Sequence, residues 1–150
     1  MDYKTIESYF SSEEGINELL EFYSEDFQKI DDISEKLKTG TVNSYEEIDE
    51  LLGALSGLAN RCEIVSEIAD TYKKKDEGRL TFQKINEAGD KKVTMSKVVA
   101  EVSHEVQDLR RVRNVFRAYT KSADRALGAM QSRLKKKERS NAYNEGEESG

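Results

Sequence analysis

The chain has 150 residues, with hydrophobic and charged residues at 36% each and a formal net charge of −6. An average globular domain is richer in apolar residues and poorer in charge, so this composition argues against a compact, many-layered core. It favours an all-α fold, an elongated helical bundle or coiled coil, because such a fold needs only a narrow apolar seam. The chain has no proline, which favours long uninterrupted helices. The length predicts one domain.

Several kinds of chemistry are disfavoured by the residues present. The single cysteine, Cys62, excludes an intramolecular disulfide and a CxxC metal site, and it lies on an apolar helix face, which predicts a buried, inert thiol. The only histidine, His104, has Glu101 and Asp108 about one helical turn to either side, but a soft-metal site usually has more His or Cys ligands. No nucleophilic triad, P-loop or GxGxxG motif is present. We therefore expect a non-enzyme with no catalytic residues, metal or cofactor.

The first predicted helix covers residues 12–38. Ser11 and Glu14 have the spacing of a capping box at its start. Its apolar residues recur at steps of three and four, which gives one hydrophobic face. Gly40 is predicted to end it in the left-handed conformation.

The second helix is predicted over residues 44–77, with Ser44 and Glu47 forming another capping box. Its seam alternates steps of three and four without a miss from Ile48 to Tyr72, which is the coiled-coil period. Gly53 and Gly57 make its middle slim, and a close approach to another helix would explain them. The charged run 73–79 predicts a break or kink, followed by a short helix over residues 79–88.

The third main helix is predicted over residues 94–139, after a turn at Gly89–Lys92 and with Thr94 as the N-cap. The tail, residues 140–150, is predicted to be disordered and acidic. The second and third helices are expected to form a long antiparallel, coiled-coil-like hairpin. The residues of its packing and oligomer seam are Leu51, Leu55, Leu58, Val65, Leu109, Phe116, Tyr119 and Met130. Such long seams rarely satisfy themselves within one hairpin, so we expect a homo-oligomer.

Charge is strongly segregated along the chain. Residues 1–90 hold 10 Lys/Arg and 22 Asp/Glu, whereas residues 91–139 hold 14 Lys/Arg and 5 Asp/Glu. The positive side chains of the third helix recur on the side opposite its apolar seam. They are Arg110, Arg113, Arg117, Lys121 and Arg125, and a further group follows at Arg133, Lys135, Lys136, Lys137 and Arg139. Guanidinium groups fit phosphate oxygens, so this stripe predicts binding to a nucleic-acid backbone. The alternative is a solvated helix face whose charges are neutralised by acidic residues, including those of the acidic N-terminal helix.

The run from Ile48 to Arg139 resembles the small helical phage proteins of the recombination-mediator type (UvsY-like). The resemblance rests on TYKKKDEGR (Thr71–Arg79), a Gly–Asp turn, Lys-Val-Thr (Lys92–Thr94) and QSRLK (Gln131–Lys135). It implies an oligomer that binds single-stranded DNA and helps to load a recombinase onto DNA covered by single-strand-binding protein, in the host cytoplasm. By this resemblance the basic middle would contact DNA and the last helix would build the oligomer. That basic middle consists of Lys73, Lys74, Lys75 and Arg79.

Two other functions remain open. One is a helical scaffold or assembly chaperone that recognises a protein partner through its apolar seams. The other is an inhibitor whose acidic surface mimics DNA, since residues 1–70 hold 18 acidic and 5 basic residues. No apolar run approaches the 18 or more residues of a membrane span and none resembles a signal peptide, so we expect a cytoplasmic protein without a membrane partner.

Overall fold

The computed structural model describes residues 1–40 and 44–148. These residues form six α-helices and a 3-10 turn at Tyr9–Ser11, with no strand among them. The helices are α1 (Tyr3–Ser8), α2 (Glu13–Phe22), α3 (Ser24–Thr39), α4 (Tyr45–Ala88), α5 (Met95–Glu105) and α6 (Gln107–Glu148). The chain is therefore an all-α bundle, as predicted, and most of it lies in the two long helices α4 and α6.

The chain divides into two compact units. The first unit contains Met1–Ser24 and Cys62–Ala118, and the second contains Glu25–Arg61 together with the described residues from Tyr119 onward. The sequence predicts a single domain over residues 1–139, whereas the contacts group into these two units. Each unit combines part of α4 and part of α6 with helices from the first forty residues.

In the first unit, the N-terminal helices cover the apolar faces of α4 and α6. The rings of Tyr23 and Phe116 meet edge to face with centroids 5.0 Å apart, and those of Phe10 and Tyr72 lie 5.5 Å apart. Aromatic pairs in these arrangements are favourable beyond the area they bury. The buried apolar residues of this unit are Ile6, Phe10, Ile16, Leu19, Tyr23, Cys62, Val65, Ile68, Ala69, Val98, Val102, Val106, Leu109, Val112 and Phe116.

In the second unit, α3 lies with the N-terminal part of α4 and the C-terminal part of α6. Phe27 of α3 stacks on Tyr119 of α6 with ring centroids 4.1 Å apart. The Arg61 guanidinium donates two hydrogen bonds to the Asp26 carboxylate, at 2.8 and 2.9 Å. The buried apolar residues of this unit are Phe27, Ile30, Ile33, Leu37, Ile48, Leu55, Leu58, Ala59, Ala123, Ala126 and Met130.

Helix ends follow the local sequence closely. The Ser44 hydroxyl accepts a hydrogen bond from the Glu47 backbone N–H at 3.1 Å, which confirms the cap predicted for α4. Gly40 has a φ of +71° and Gly89 a φ of +53°, so glycine ends α3 and α4 in the left-handed conformation that side chains disfavour. Thr94 precedes α5 as predicted, although its side chain makes no capping hydrogen bond.

Several predicted helix bounds are wrong. The N-cap of α2 is Ser12, whose hydroxyl accepts from Gly15 N–H, rather than Ser11. The predicted helix 12–38 is interrupted at Tyr23 and the predicted helix 94–139 at Val106, where φ and ψ are −90° and 1°, and −97° and 13°. These values lie in the bridge region, where one residue leaves the helical conformation while its apolar side chain stays buried. A hydrophobic pattern cannot detect such an interruption.

The break predicted within residues 73–79 is also wrong, because α4 runs without interruption from Tyr45 to Ala88. Charged residues are good helix formers when their side chains reach solvent or each other. At the other end, α6 continues to Glu148, so residues 140–148 are helical rather than disordered, and residues 149–150 lie outside the described residues.

Gly53 and Gly57 of α4 do not lie at a close contact between helices. A Cβ atom built on Gly53 or Gly57 would meet no atom within 4 Å, and both residues are exposed. The expected close approach at these positions is therefore wrong.

The predicted packing seam is covered within the chain itself. Leu55, Val65, Phe116 and Met130 are each fully buried, and Leu58 and Leu109 nearly so. Leu51 and Tyr119 are half-buried. Since α2 and α3 supply partners to this seam, it no longer provides a reason for the chain to self-associate.

Candidate nucleic-acid interface

The basic residues of the first unit are mostly engaged by side chains of the same unit. The Arg113 guanidinium donates a hydrogen bond to the Asp70 carboxylate at 3.0 Å, and the Lys74 ammonium lies 2.7 Å from the same carboxylate. These two cations hold the pKa of Asp70 at about 2, below its usual 3.8, through hydrogen bonds from Lys74 and then from Arg113. The partner of Arg113 is therefore an acid of α4, not of the acidic N-terminal helices.

Arg110 and the basic residues near Asp70 are also held in place. Arg110 donates to the Ser103 hydroxyl at 2.9 Å and lies 3.9 Å from Glu77. Lys73 is buried, with its side chain 9% exposed, and its ammonium lies 3.0 Å from Glu77. An ammonium in this position is not accessible to a phosphate.

Arg79, by contrast, makes a largely exposed pair with Asp76 at 3.1 Å. Pairs of this kind contribute little and exchange readily, so they leave the cation available to a ligand. Lys74, whose side chain is 70% exposed, belongs to the same group. Lys75 and Arg117 are exposed and have no hydrogen bond or ion pair to any residue that the structure describes.

The second unit carries a cationic surface whose members are not paired. Lys121, Arg125, Lys135, Lys136 and Arg139 are all exposed, and none has a hydrogen bond or ion pair with a described residue. At about 100° per residue, these five side chains lie within an arc of roughly 100° on α6. We call these five residues the α6 cationic stripe.

The dimensions of the α6 cationic stripe suit a polyanion. Its ends are separated by about 27 Å at ~1.5 Å per residue, which is the span of several phosphates. Gly128 and Ser132 lie on the same face between the two groups of cations, and a Cβ on Gly128 would meet nothing within 4 Å. Small residues at these positions let a ligand approach the helix backbone closely.

The opposite face of α6 is fixed against the rest of the unit. Ala123, Ala126 and Met130 are buried. Arg133, which lies between the two faces, donates to the Leu37 carbonyl oxygen at 3.1 Å. The burial of one face holds the stripe outward, which explains why its cations remain in solvent.

One groove borders the stripe. It has a volume of about 570 Å³ and is lined on α6 by Ser122, Arg125, Ala126 and Ala129 and on α3 by Asp31, Ser34, Glu35, Leu37 and Lys38. The two acidic residues make no ion pair with Arg125 at 4.0 Å or less. The two carboxylates weaken anion binding beside Arg125, because they would repel a phosphate that entered the groove.

Nine residues were predicted to contact DNA. Four of them are exposed and have no hydrogen bond or ion pair to a described residue, namely Lys75, Arg117, Lys121 and Arg125. Lys135, Lys136 and Arg139 follow the predicted basic residues Arg110–Arg125 in the sequence and were not among the nine predicted site residues. The helical step that aligned Arg117, Lys121 and Arg125 also aligns these three, so the signal was present in the sequence.

The described residues contain neither a candidate metal site nor a candidate membrane span. Among them, no group of three His, Cys, Asp or Glu side chains is placed to hold a metal ion, and His104 is exposed near the end of α5. Within the same residues, no helix has the length and apolar character needed to cross a membrane. Cys62 is buried, as expected.

Comparison with known proteins adds no family. No protein-family model, no curated protein and no solved structure matches this chain. The function must therefore be argued from the geometry and charge of the chain itself.

Proposed function

We propose that this protein binds single-stranded DNA through the α6 cationic stripe and acts as a non-enzymatic recombination accessory protein in the host cytoplasm. The observation that carries the proposal is the set of five exposed cations without described partners on one face of α6. The accessory role, which includes recombinase loading on DNA covered by single-strand-binding protein, comes from the resemblance to phage recombination mediators. The chemistry of the stripe supports the DNA part of this role only.

The ligand class follows from the composition of the stripe. Arg and Lys neutralise backbone phosphates, and the counterions released from the nucleic acid drive binding. The stripe contains no aromatic residue on which bases could stack, so the contacts are to the backbone and the binding has no sequence preference. A flexible single strand can follow one face of a helix with its phosphates.

The test measures affinity as a function of salt. A fluorescein-labelled oligothymidylate of about 20 nucleotides is titrated with protein while anisotropy is recorded at about 50 to 200 mM salt. Five phosphate contacts predict a slope of about −3.5 in log K against log salt. No binding at the lowest salt would refute the proposal, and the scaffold or inhibitor alternative, which needs no nucleic acid, would then stand.

The variants separate the stripe from net charge. Lys121→Glu with Arg125→Glu should lower the affinity at least tenfold and reduce the slope by about 1.4, because two contacts are lost. The matched control is Lys4→Glu with Lys29→Glu, since both lysines are exposed and the net charge changes equally. Equal losses in the two double variants would show that the stripe has no special role.

A second pair of variants tests the placement that the resemblance implies. Lys75→Glu alters an exposed lysine of the basic middle that has no described partner, whereas Lys136→Glu alters the stripe. We expect the larger loss of affinity from Lys136→Glu. The reverse order would move the binding surface to the middle of α4.

A further inference from the structure

The end of the α4–α5 hairpin differs from the rest of the first unit because no third helix covers it among the residues that the structure describes. Contacts of the N-terminal segment are found as far as Asp76 and Glu105, where Phe10, Glu13 and Ile16 line a shared pocket. Beyond this point no residue of α4 from Glu77 to Ala88 is buried. In α5 the buried residues are Val98 and Val102.

One side of this hairpin end is apolar and solvent-exposed. Phe82 is 69% exposed and Ile85 45% exposed, and they lie one turn apart on α4. Met95 and Val99 of α5 are 55% and 57% exposed. We call these four residues the apolar tip. Val93, 40% exposed, lies in the connection between the two helices.

The four residues lie on the same side of the hairpin. Thr81 of α4 and Val99 of α5 line one groove, so these two positions lie on the same side of the helix pair. Because the helices are antiparallel, the next turn of α4, at Ile85, comes opposite the preceding turn of α5, at Met95. Phe82 is the residue after Thr81, about 100° further around α4, so it lies on this side but farther from α5.

The other side of the hairpin is ionic and satisfied. The Lys84 ammonium lies 2.7 Å from the Glu105 carboxylate and 3.3 Å from that of Glu101. The two sides of one helix pair are thus chemically different. The charges of the ionic side are paired with each other, whereas no described residue covers the apolar side.

We propose that the apolar tip is the contact between two copies of this chain, in which two α4–α5 hairpins form a four-helix bundle. A helix pair with one apolar side needs two further helices to bury it, and a second identical hairpin supplies both. A two-fold arrangement brings the same patch onto itself. The four patch residues are uncharged, so like charges do not meet at the centre of such a contact.

The area of the tip is consistent with a specific but modest contact. At roughly 150–200 Å² for a fully exposed large side chain, the exposed fractions of the tip and Val93 amount to about 400–530 Å² per copy. A pair would bury about 800–1,060 Å², which is at the lower limit for specific interfaces. The association should therefore be weak and depend on the protein concentration.

The experiment is light scattering after size exclusion, combined with sedimentation equilibrium over a range of protein concentrations. The full chain should approach twice its mass of 17.1 kDa as concentration rises. Ile85→Glu should hold it at the single-chain mass. The matched control is Ile64→Glu, because Ile64 is also 45% exposed and also on α4, and it should associate as the wild type does.

Two outcomes would overturn the proposal. One is a wild-type chain that stays at 17.1 kDa at every concentration, and the other is equal behaviour of the Ile85→Glu and Ile64→Glu variants. Circular dichroism confirms that both variants are folded.

Discussion

Asp70 offers a quantitative test of how the first unit is held together. Its carboxylate is 16% exposed and contacts both Arg113, whose side chain is 18% exposed, and Lys74, which is 70% exposed. Replacement by asparagine keeps the shape of the side chain and removes its charge. The Asp70→Asn variant should therefore lose the charge-assisted contacts and leave Arg113 half-buried without a counterion.

The magnitude follows from the pKa of Asp70. It falls from 3.8 to about 2 in the folded chain, and each unit corresponds to ~1.4 kcal/mol. This gives an upper value of about 2.5 kcal/mol, and the exposure of Lys74 reduces the expected loss to about 1–2 kcal/mol. Because the folded pKa is lowered, this stability is present above pH 3.8 and is lost as the pH falls through about 2.

The assay is urea unfolding followed by circular dichroism between pH 7 and pH 2. The difference between wild type and Asp70→Asn should fall to about half by pH 3 and nearly vanish at pH 2. Asp76→Asn is the control, since its partner Arg79 is 61% exposed, and it should change stability by less than about 0.5 kcal/mol. A variant as stable as wild type at pH 7, or a difference unchanged at pH 2, would refute the reasoning.

Three further predictions concern the fold. Phe116→Ala should lower the free energy of unfolding by about 3–5 kcal/mol in urea titrations, because the ring is fully buried. A loss below about 1 kcal/mol would contradict the position of Phe116 in the core. Gly53→Ala should raise the thermal midpoint, since the position is exposed within a helix, whereas Gly89→Ala should lower it because of its positive φ. Cys62 should react with a thiol reagent far more slowly in the native protein than in urea, and equal rates would show that it is not buried.

The proposed DNA binding depends on which basic side chains have no ion-pair partner. The sequence predicts these side chains only in part. Helical spacing identified Lys121 and Arg125 correctly as outward-facing residues. The same spacing treated Arg113 as equivalent to them, although its guanidinium is bound to Asp70, 43 residues earlier in the chain. Lys73 lies in a run of three lysines, yet it alone among them is buried. Pairing of this kind depends on the register between two helices.

The prediction of self-association was likewise limited by what a local sequence pattern can show. The regular seam of α4 was expected to need another chain, but α2 and α3 fold onto it, and residues such as Leu55 and Phe116 have no exposed surface. Apolar periodicity shows that a face will be buried without showing what covers it. The exposed apolar residues that remain, Phe82 and Val99, belong to different helices and become neighbours only through the hairpin.

The all-α class, the turn at Gly89, the left-handed glycine after α3 and the faces of the long helices all follow from the sequence alone. These properties are local, because they depend on capping groups, backbone freedom and the 3.6-residue period. The tertiary packing, in contrast, sets which basic residues remain in solvent and which apolar residues lack cover. Those outcomes depend on contacts between residues far apart in the chain, such as Asp70 with Arg113, and no local pattern specifies the register that brings them together.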